Sequence, residues 1–365
     1  MVHCAVTIMG GGNTAFSAAA NLTLLGHQVT LYEIPEFKES LEPVRNTRTI
    51  YLKGMAKQGA TLIHRMTTDV QEALRASDLV LLMVPANAHR PFAQVCAPHL
   101  SSGQVVVMMP GTLGALEWAC ILREAGTTGV VLAETDTSPY VCRKTAPDTG
   151  TIWGTVKHLG LGVFPATETE HTRKLLKPLF PGLISYPDVM ACGLSALNPV
   201  VHPAGVLMNS GRIEYSRGDF YFYEEGVTQS VTKVIMQVDA ERRAIAKTLG
   251  YDLCSIEEAF SRAGFGPEGD LWETINGSYM LTQLKAPGSL SSRWLTEDVP
   301  YGLAVWSSIG AQYGIETPMM RSVVNIASVV MGFDGWTLGR GLEELGIAGM
   351  KKQELSAYLK GGSMG

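Results

Sequence analysis

CAVTIMGGGNTAFSAAANLTLLGHQVTLYE, running from Cys4 to Glu33, decides the fold of the first half of this chain. Cys4 to Met9 reads as a short buried strand, Ala15 to Leu25 as a helix of small residues, and Gln28 to Glu33 as a second strand. Between them, Gly10, Gly12 and Ala15 supply a G-x-G-x-x-A turn that also carries Asn13 and Thr14. A tight turn with close backbone approach to a pyrophosphate leaves no room for Cβ atoms. The small third residue lets helix and strand pack closely, and the helix N-terminus favours phosphate charge. Glu33 stands 18 positions after Ala15, the place from which a carboxylate accepts hydrogen bonds from an adenosine ribose. The expectation is a dinucleotide site formed by Gly10, Gly12, Asn13, Thr14, Ala15 and Glu33. A carboxylate at that point repels a 2′-phosphate, which favours NAD over NADP. Arg45 and Arg48 lie close enough in sequence to serve NADP instead.

Outward from this unit the rhythm repeats. Asp78 to Ala86, Gly103 to Gly111 and Gly129 to Thr135 are Val/Leu/Met-rich runs with helical segments between them. Such runs suit parallel strands covered on both faces. Ligands in these sheets bind beyond the carboxyl ends of the strands, which brings Pro85, Ala86, the Gly111-Thr112 loop and Thr137 around one crevice. Gly150 to Ala166 is expected to add one or two edge strands, and Glu168 to Phe180 a helix. Near Tyr186-Pro187 the alternation stops and helical periodicity takes over. The expected layout is a doubly wound Rossmann-type α/β domain over 1–187, then an all-helical domain over 188–365. Within the latter, Val231 to Gly250 carries apolar residues at helical spacing and a terminal glycine stop.

The helical half holds one histidine. In NPVVHPAGVLMN (Asn198 to Asn209), a helix at about 100° per residue puts Asn198, His202, Gly205 and Asn209 on one arc and the aliphatic residues opposite. Pro203 has no N–H for the carbonyl of Pro199 and is expected to disrupt the helix at the histidine. None of the eight histidines lies beyond His202. Further on, SSRWLTEDVPYGL (Ser291 to Leu303) has Pro300 in a helix's first turn, which puts Glu297 and Asp298 at the N-terminus. Arg293 precedes them with a guanidinium suited to carboxylates. GDFYFYEEG (Gly218 to Gly226) reads as a solvated turn, or else as a pocket wall in which Glu224 and Glu225 attract a cation.

Composition narrows the partners. With 365 residues, 46% hydrophobic and a formal net charge of −5, nothing favours nucleic acid or an anionic membrane. The six cysteines are scattered without metal-ligand spacing, so no metal is expected and the thiols read as reduced, in a cytoplasmic protein. No basic, apolar leader opens the chain, and no unbroken apolar run approaches the roughly 18 residues of a membrane span. The terminal GGSMG reads as a disordered tail.

GGGNTA (Gly10–Ala15), PGTLGALE (Pro110–Glu117), ETDTSPYVCR (Glu134–Arg143), LNPVVHPAGVL (Leu197–Leu207), RWLTEDVPYGL (Arg293–Leu303) and GRGLEELGI (Gly339–Ile347) follow one another across nearly the whole chain. In this order the chain resembles the opine dehydrogenases, the octopine/nopaline dehydrogenase family. The resemblance implies an NAD(P)H-dependent reductive condensation: an α-keto acid, with pyruvate foremost, and the α-amino group of an amino acid give an N-(carboxyalkyl) amino acid. It implies that His202 is the catalytic acid/base, that Asp298 orients and polarises it, and that Arg293 meets a substrate carboxylate. Thr137 falls where the family binds the keto acid, and Asn198 lies on the His202 arc as a further substrate contact. The partners would be small molecules, with the chain a monomer or a homodimer. Two alternatives remain at this point: another two-domain NAD(P)-dependent dehydrogenase of 2-hydroxy acids or polyol phosphates, and a non-catalytic NAD(H)-binding regulator.

Overall fold

The computed structural model describes residues 3–362. The Cys4 to Glu33 stretch folds as β1 (Ala5–Met9), α1 (Asn13–Leu24) and β2 (Gln28–Tyr32). Five further strands follow: β3 (Thr49–Gly54), β4 (Gly59–Leu62), β5 (Arg65–Thr67), β6 (Leu79–Leu82) and β7 (Val105–Met108). The last five are β8 (Val131–Thr135), β9 (Tyr140–Ala146), β10 (Thr149–Thr155), β11 (Leu159–Phe164) and β12 (Leu183–Ser185). Eight of them form one sheet in the order β12-β11-β8-β7-β6-β1-β2-β5. Its centre is parallel, with Ile8 opposite Leu31 on one side and Leu81 on the other. The Val/Leu runs of β6 and β7 are buried throughout, as strands covered on both faces require.

Two sequence expectations change here. β11 is not an edge strand; it pairs antiparallel with β8 and parallel with β12, which takes the edge. β10 leaves the main sheet altogether and joins a second, four-stranded sheet in the order β4-β3-β10-β9. The sequence reading did not single out β3, whose Ile50 and Leu52 are buried while Tyr51 and Lys53 are exposed, in strand alternation. The close β3–β10 approach rests on Gly54 (φ +103°), where a Cβ would strike the carbonyl of Ile152. α1 packs on strands of both sheets, and its Ala15, Phe16, Ala18, Ala19, Ala20 and Leu22 belong to the unit's core.

Contacts divide the described residues into two compact units, 3–193 with 357–362, and Leu194–Ser356. The first boundary falls six residues after the expected 187. The larger difference is that the chain end returns to the first unit. In the helix Lys352–Gly361, Tyr358 and Leu359 are buried, and the Tyr358 ring meets Phe164 at 5.0 Å. Gly361 closes that helix; Ser363 to Gly365 of the expected disordered tail lie outside the described residues.

The second unit is helical, as the periodicity implied. Its longest helix, Gln229–Leu249, starts at a Thr228 cap and stops at Gly250 (φ +94°). The stretch Val189–Met208 is apolar enough to cross a membrane by length and composition, although Ser195, Asn198 and His202 interrupt its apolar run. It is two helices broken at Ser195–Leu197, and 94% of its apolar window is buried in the fold. These are core helices.

Candidate active site

In the second unit, the helix Asn198–Met208 runs unbroken through Pro203, so the expected disruption at the histidine does not occur. Every residue from Pro199 to Val206 is buried. The polar arc therefore faces protein rather than an open cleft, and it is Met208 on the aliphatic side that is exposed. Gly205 is on that arc because the Phe222 ring sits against it: a Cβ would lie 2.6 Å from Phe222 Cζ. Asn209 closes the helix by donating to the carbonyls of Gly205 (2.9 Å) and Gly226 (3.0 Å). Asn198, half-buried, begins the same helix one turn before His202.

His202 is 8% exposed and held on three sides. Its Nδ1 lies 2.8 Å from Asp298 Oδ2 and its Nε2 lies 3.1 Å from the Tyr223 hydroxyl. One ring face stacks on Trp294, with centroids 4.4 Å apart and planes at 9°. A carboxylate only accepts, so Nδ1 carries the hydrogen; Nε2 of the neutral ring is then the acceptor and Tyr223 donates to it. Asp298 stands where the sequence put it, immediately before a helical stretch. Pro300 lies in the first turn, a π-helical turn over Val299–Leu303 that continues as Ala304–Gln312. Its carboxylate does not cap that helix but reaches the imidazole.

Arg293 opens the short helix Arg293–Thr296, next in sequence to the tryptophan on the imidazole. Its side chain is 65% exposed and its Nε donates to Glu297 Oε2 at 2.8 Å. Glu224 and Glu225 are exposed, and Glu225 pairs with Arg212 while accepting from Tyr221 N–H (2.8 Å), as a surface turn would. The neighbouring Tyr223, however, is part of the histidine's environment, which the turn reading missed.

The first unit carries the dinucleotide candidates. Gly10 has φ +114°, and a Cβ there would lie 2.8 Å from Val84 Cγ1. At Gly12, the residue before α1, a Cβ would meet nothing within 4 Å, so the backbone is open to an approaching group. No side chain caps α1 and its first turn holds no acid, which leaves the helix N-terminus fit for a pyrophosphate. Asn13 Oδ1 accepts from Lys144 N–H (2.9 Å), Thr14 Oγ1 lies 3.4 Å from Ser138 Oγ, and Ala15 is buried. Glu33 follows β2 and is buried. Its carboxylate accepts from Ile34 N–H (3.0 Å) and Ser40 Oγ (3.3 Å), and burial pushes its pKa up against these bonds and one from Gly11 N–H. Lys144, missed in the sequence, lies close by: its Nζ donates to Ser40 O (2.7 Å), burial lowers its pKa, and Glu33 opposes that shift.

Pro85 and Ala86 follow β6, with Ala86 opening a short 3-10 turn. Thr137 follows β8, half-buried, its carbonyl accepting from Thr135 Oγ1 (2.7 Å). Beside it, Asp136 accepts from Gly160 N–H (2.9 Å) and Tyr186 OH (3.2 Å), and burial lifts its carboxyl to about 6. Thus the glycine loop, Pro85-Ala86 and the Thr137 loop all lie past carboxyl ends of strands, as expected. Arg45 forms an exposed pair with Glu42.

The comparisons bear on both units. Residues 185–331 match the model for the NAD/NADP octopine/nopaline dehydrogenase alpha-helical domain, and residues 5–113 the NAD-dependent glycerol-3-phosphate dehydrogenase N-terminus. The opine dehydrogenase of Arthrobacter sp. (strain 1C) is 30% identical, over 94% of this chain and 95% of that one. An octopine dehydrogenase solved with NADH and pyruvate superposes with a TM-score of 0.74 at 19% identity, covering 98% of both chains. A yersinopine dehydrogenase solved with NADP+ gives 0.71 at 14% identity, again over 98% of each. With near-complete coverage by a 30% identical relative and its helical half matched by the family's own domain, this chain belongs to the opine dehydrogenases of the octopine/nopaline family, NAD(P)-dependent oxidoreductases acting on CH–NH donors.

Proposed function

We propose that this chain condenses pyruvate with the α-amino group of an amino acid, with NADH as the preferred reductant, and runs the reverse oxidation as well. The observation that carries the reading is the 2.8 Å His202–Asp298 contact in a buried, aromatic-walled position. Forming the imine needs a base for the ammonium proton and an acid for the departing carbinolamine hydroxyl, and one histidine serves both. Asp298 fixes the ring's tautomer and stabilises the imidazolium that forms. Arg293 receives a substrate carboxylate, Thr137 the keto acid, and Asn198 a polar substrate group. When bound, the dinucleotide supplies the hydride; Gly10, Gly12, Asn13, Thr14, Ala15, Glu33, Pro85 and Ala86 would hold it. All six cysteines are free thiols, which supports placing the reaction in the cytoplasm. Oxidation of NADH by pyruvate, screened against the amino acids one by one, tests the reading. Turnover of the keto acid without any amine would instead mark a 2-hydroxy acid dehydrogenase.

Two substitutions sharpen this. The buried Glu33 carboxylate, set among Gly11, Ser40 and Ile34, disfavours a 2′-phosphate. NADH is expected to give the higher kcat/KM, and Glu33→Ala to narrow the gap, with Lys144 left as a nearby cation. A wild-type enzyme equally efficient with NADPH would refute the preference. Arg293→Lys keeps the charge but loses the bidentate fork, so KM for one substrate should rise by about tenfold with kcat little changed. An unchanged KM for both keto acid and amino acid would remove Arg293 from the site.

A further inference from the structure

Tyr223 occupies the nitrogen that has to do the chemistry. With Nδ1 engaged by Asp298, His202 exchanges protons only through Nε2, and the single in-plane position there is filled by the Tyr223 hydroxyl at 3.1 Å. Substrate therefore reaches the imidazole proton in one of two ways: Tyr223 moves aside, or it passes the proton along. The surroundings favour the second. The phenol is 5% exposed, its ring lies edge-on to Phe222 at 5.1 Å, and it tilts against Trp294 at 6.3 Å. Phe222 in turn is edge-on to Trp294 at 4.6 Å and lies against Gly205. Its backbone N–H is tied to Leu284 O at 2.9 Å. Phe222 and Tyr223 ride on a π-helical turn, Phe222–Gly226, a form that recurs at functional sites. Swinging Tyr223 out would dismantle the stack that holds the imidazole.

We propose that Tyr223 is a proton relay: its hydroxyl, rather than the imidazole itself, faces the reacting amine and carbinolamine. The proposal rests on the condensation reading above. In the forward direction the ammonium N–H proton passes to the phenol oxygen as the phenol's own proton passes to Nε2. This gives a free amine, an unchanged tyrosine and an imidazolium paired with Asp298. After carbinolamine formation the chain runs backwards. Nε2–H returns its proton to the phenol oxygen, the phenol proton goes to the hydroxyl, the C–O bond breaks, and water leaves. Protons balance, and the tyrosine is never left ionised; burial and the Asp298 charge raise its pKa well above that of a free phenol, as a carrier rather than a base requires.

The relay is tested with wild type and Tyr223→Phe, using saturating NADH and pyruvate with the amino acid that supports the fastest oxidation. The variant keeps the ring and deletes only the hydroxyl. The relay predicts a kcat loss of roughly 10²-fold with KM values within about threefold of wild type. It also predicts a curved dependence of wild-type kcat on deuterium fraction, from two protons in flight, that becomes linear in the variant. If the phenol merely competes with substrate for Nε2, Tyr223→Phe would hold or raise kcat, and that result overturns the relay. The wild-type isotope measurement needs no variant: a linear dependence also overturns it. Absence of amine-dependent turnover in the wild type overturns the condensation reading itself, whereas normal condensation with an unimpaired variant removes only the tyrosine.

Discussion

His202→Ala is expected to lower kcat by roughly 10²–10⁴, the usual size of a general acid–base contribution. The geometry makes the loss specific. His202 reaches Asp298 through one nitrogen and Tyr223 through the other, with a tryptophan covering its face, so no other titrating side chain substitutes for it. Asp298→Asn is expected to be nearly as severe, because an amide cannot balance an imidazolium and can present the wrong hydrogen-bonding atom to Nδ1. The double variant should then be little slower than the slower single one, since residues acting as a unit are non-additive. NADH affinity should stay near wild type in all three, because the glycine loop belongs to the other unit. Steady-state kinetics with a parallel NADH titration checks this. Near-normal turnover in His202→Ala would remove the histidine from the chemistry. Fully multiplicative losses would leave both residues important but acting separately.

The place of Asp298 was legible from a local signal, whereas its pairing with His202, 96 residues away, came only from the resemblance to the opine dehydrogenases. A proline in a first helical turn announces a helix start, and so places Asp298 correctly; the glycine spacing announces the phosphate turn in the same way. Tyr223 was not legible. Its neighbours Glu224 and Glu225 behave as the surface turn that the composition suggested, yet one position earlier the chain buries a phenol against the histidine. Only the packing reveals this, since the Phe222 ring needs Gly205 beneath it. The expected break at Pro203 failed for a related reason. Propensity is a weak prior, and a helix buried along Pro199–Val206 is held by its surroundings despite a lost hydrogen bond. The second sheet went unseen because β3 and β10 lie about a hundred residues apart in sequence, and pairing at that range leaves no local mark. The same holds for Glu134, whose buried carboxylate takes the N–H groups of Leu113 (2.9 Å) and Ala115 (3.1 Å), where the loop after β7 enters the helix Gly114–Glu124. That loop carries Thr112 and Leu113 at positive φ.

Long-range polar pairing also governs the stability of the helical unit, and Asp239→Ala is expected to cost about 3–5 kcal/mol. The helix Gln229–Leu249 reads from sequence as an ordinary amphipathic one, but Asp239 and Arg242 are each 1% exposed. Asp239 Oδ1 accepts from Arg242 Nε (3.0 Å) and Nη2 (2.6 Å). Its Oδ2 accepts from Arg243 Nε (2.8 Å) and Ile256 N–H (3.3 Å). Arg242 also donates to the carbonyls of Leu194 (2.8 Å) and Cys254 (2.8 Å). One carboxylate thus holds a guanidinium that ties the segment before the His202 helix to the start of the helix Ile256–Ala263. Deleting the carboxylate leaves a buried cation without its counter-charge, and that desolvation, rather than the lost hydrogen bonds, dominates the cost. Asp239→Leu combined with Arg242→Met removes both buried charges, and should recover most of the loss, leaving the two carbonyls and the Ile256 N–H unpaired and Arg243 without its partner. Urea denaturation of the single and double variants measures the difference. A cost below about 1 kcal/mol for Asp239→Ala, the range of an exposed ion pair, would mean that water reaches the pair and that it does not organise the unit. Because the Gln229–Leu249 helix packs directly on the helix that carries His202, the same variant should lower kcat at temperatures where the unit is still folded. The kcat deficit should track the stability deficit and vanish in the double variant.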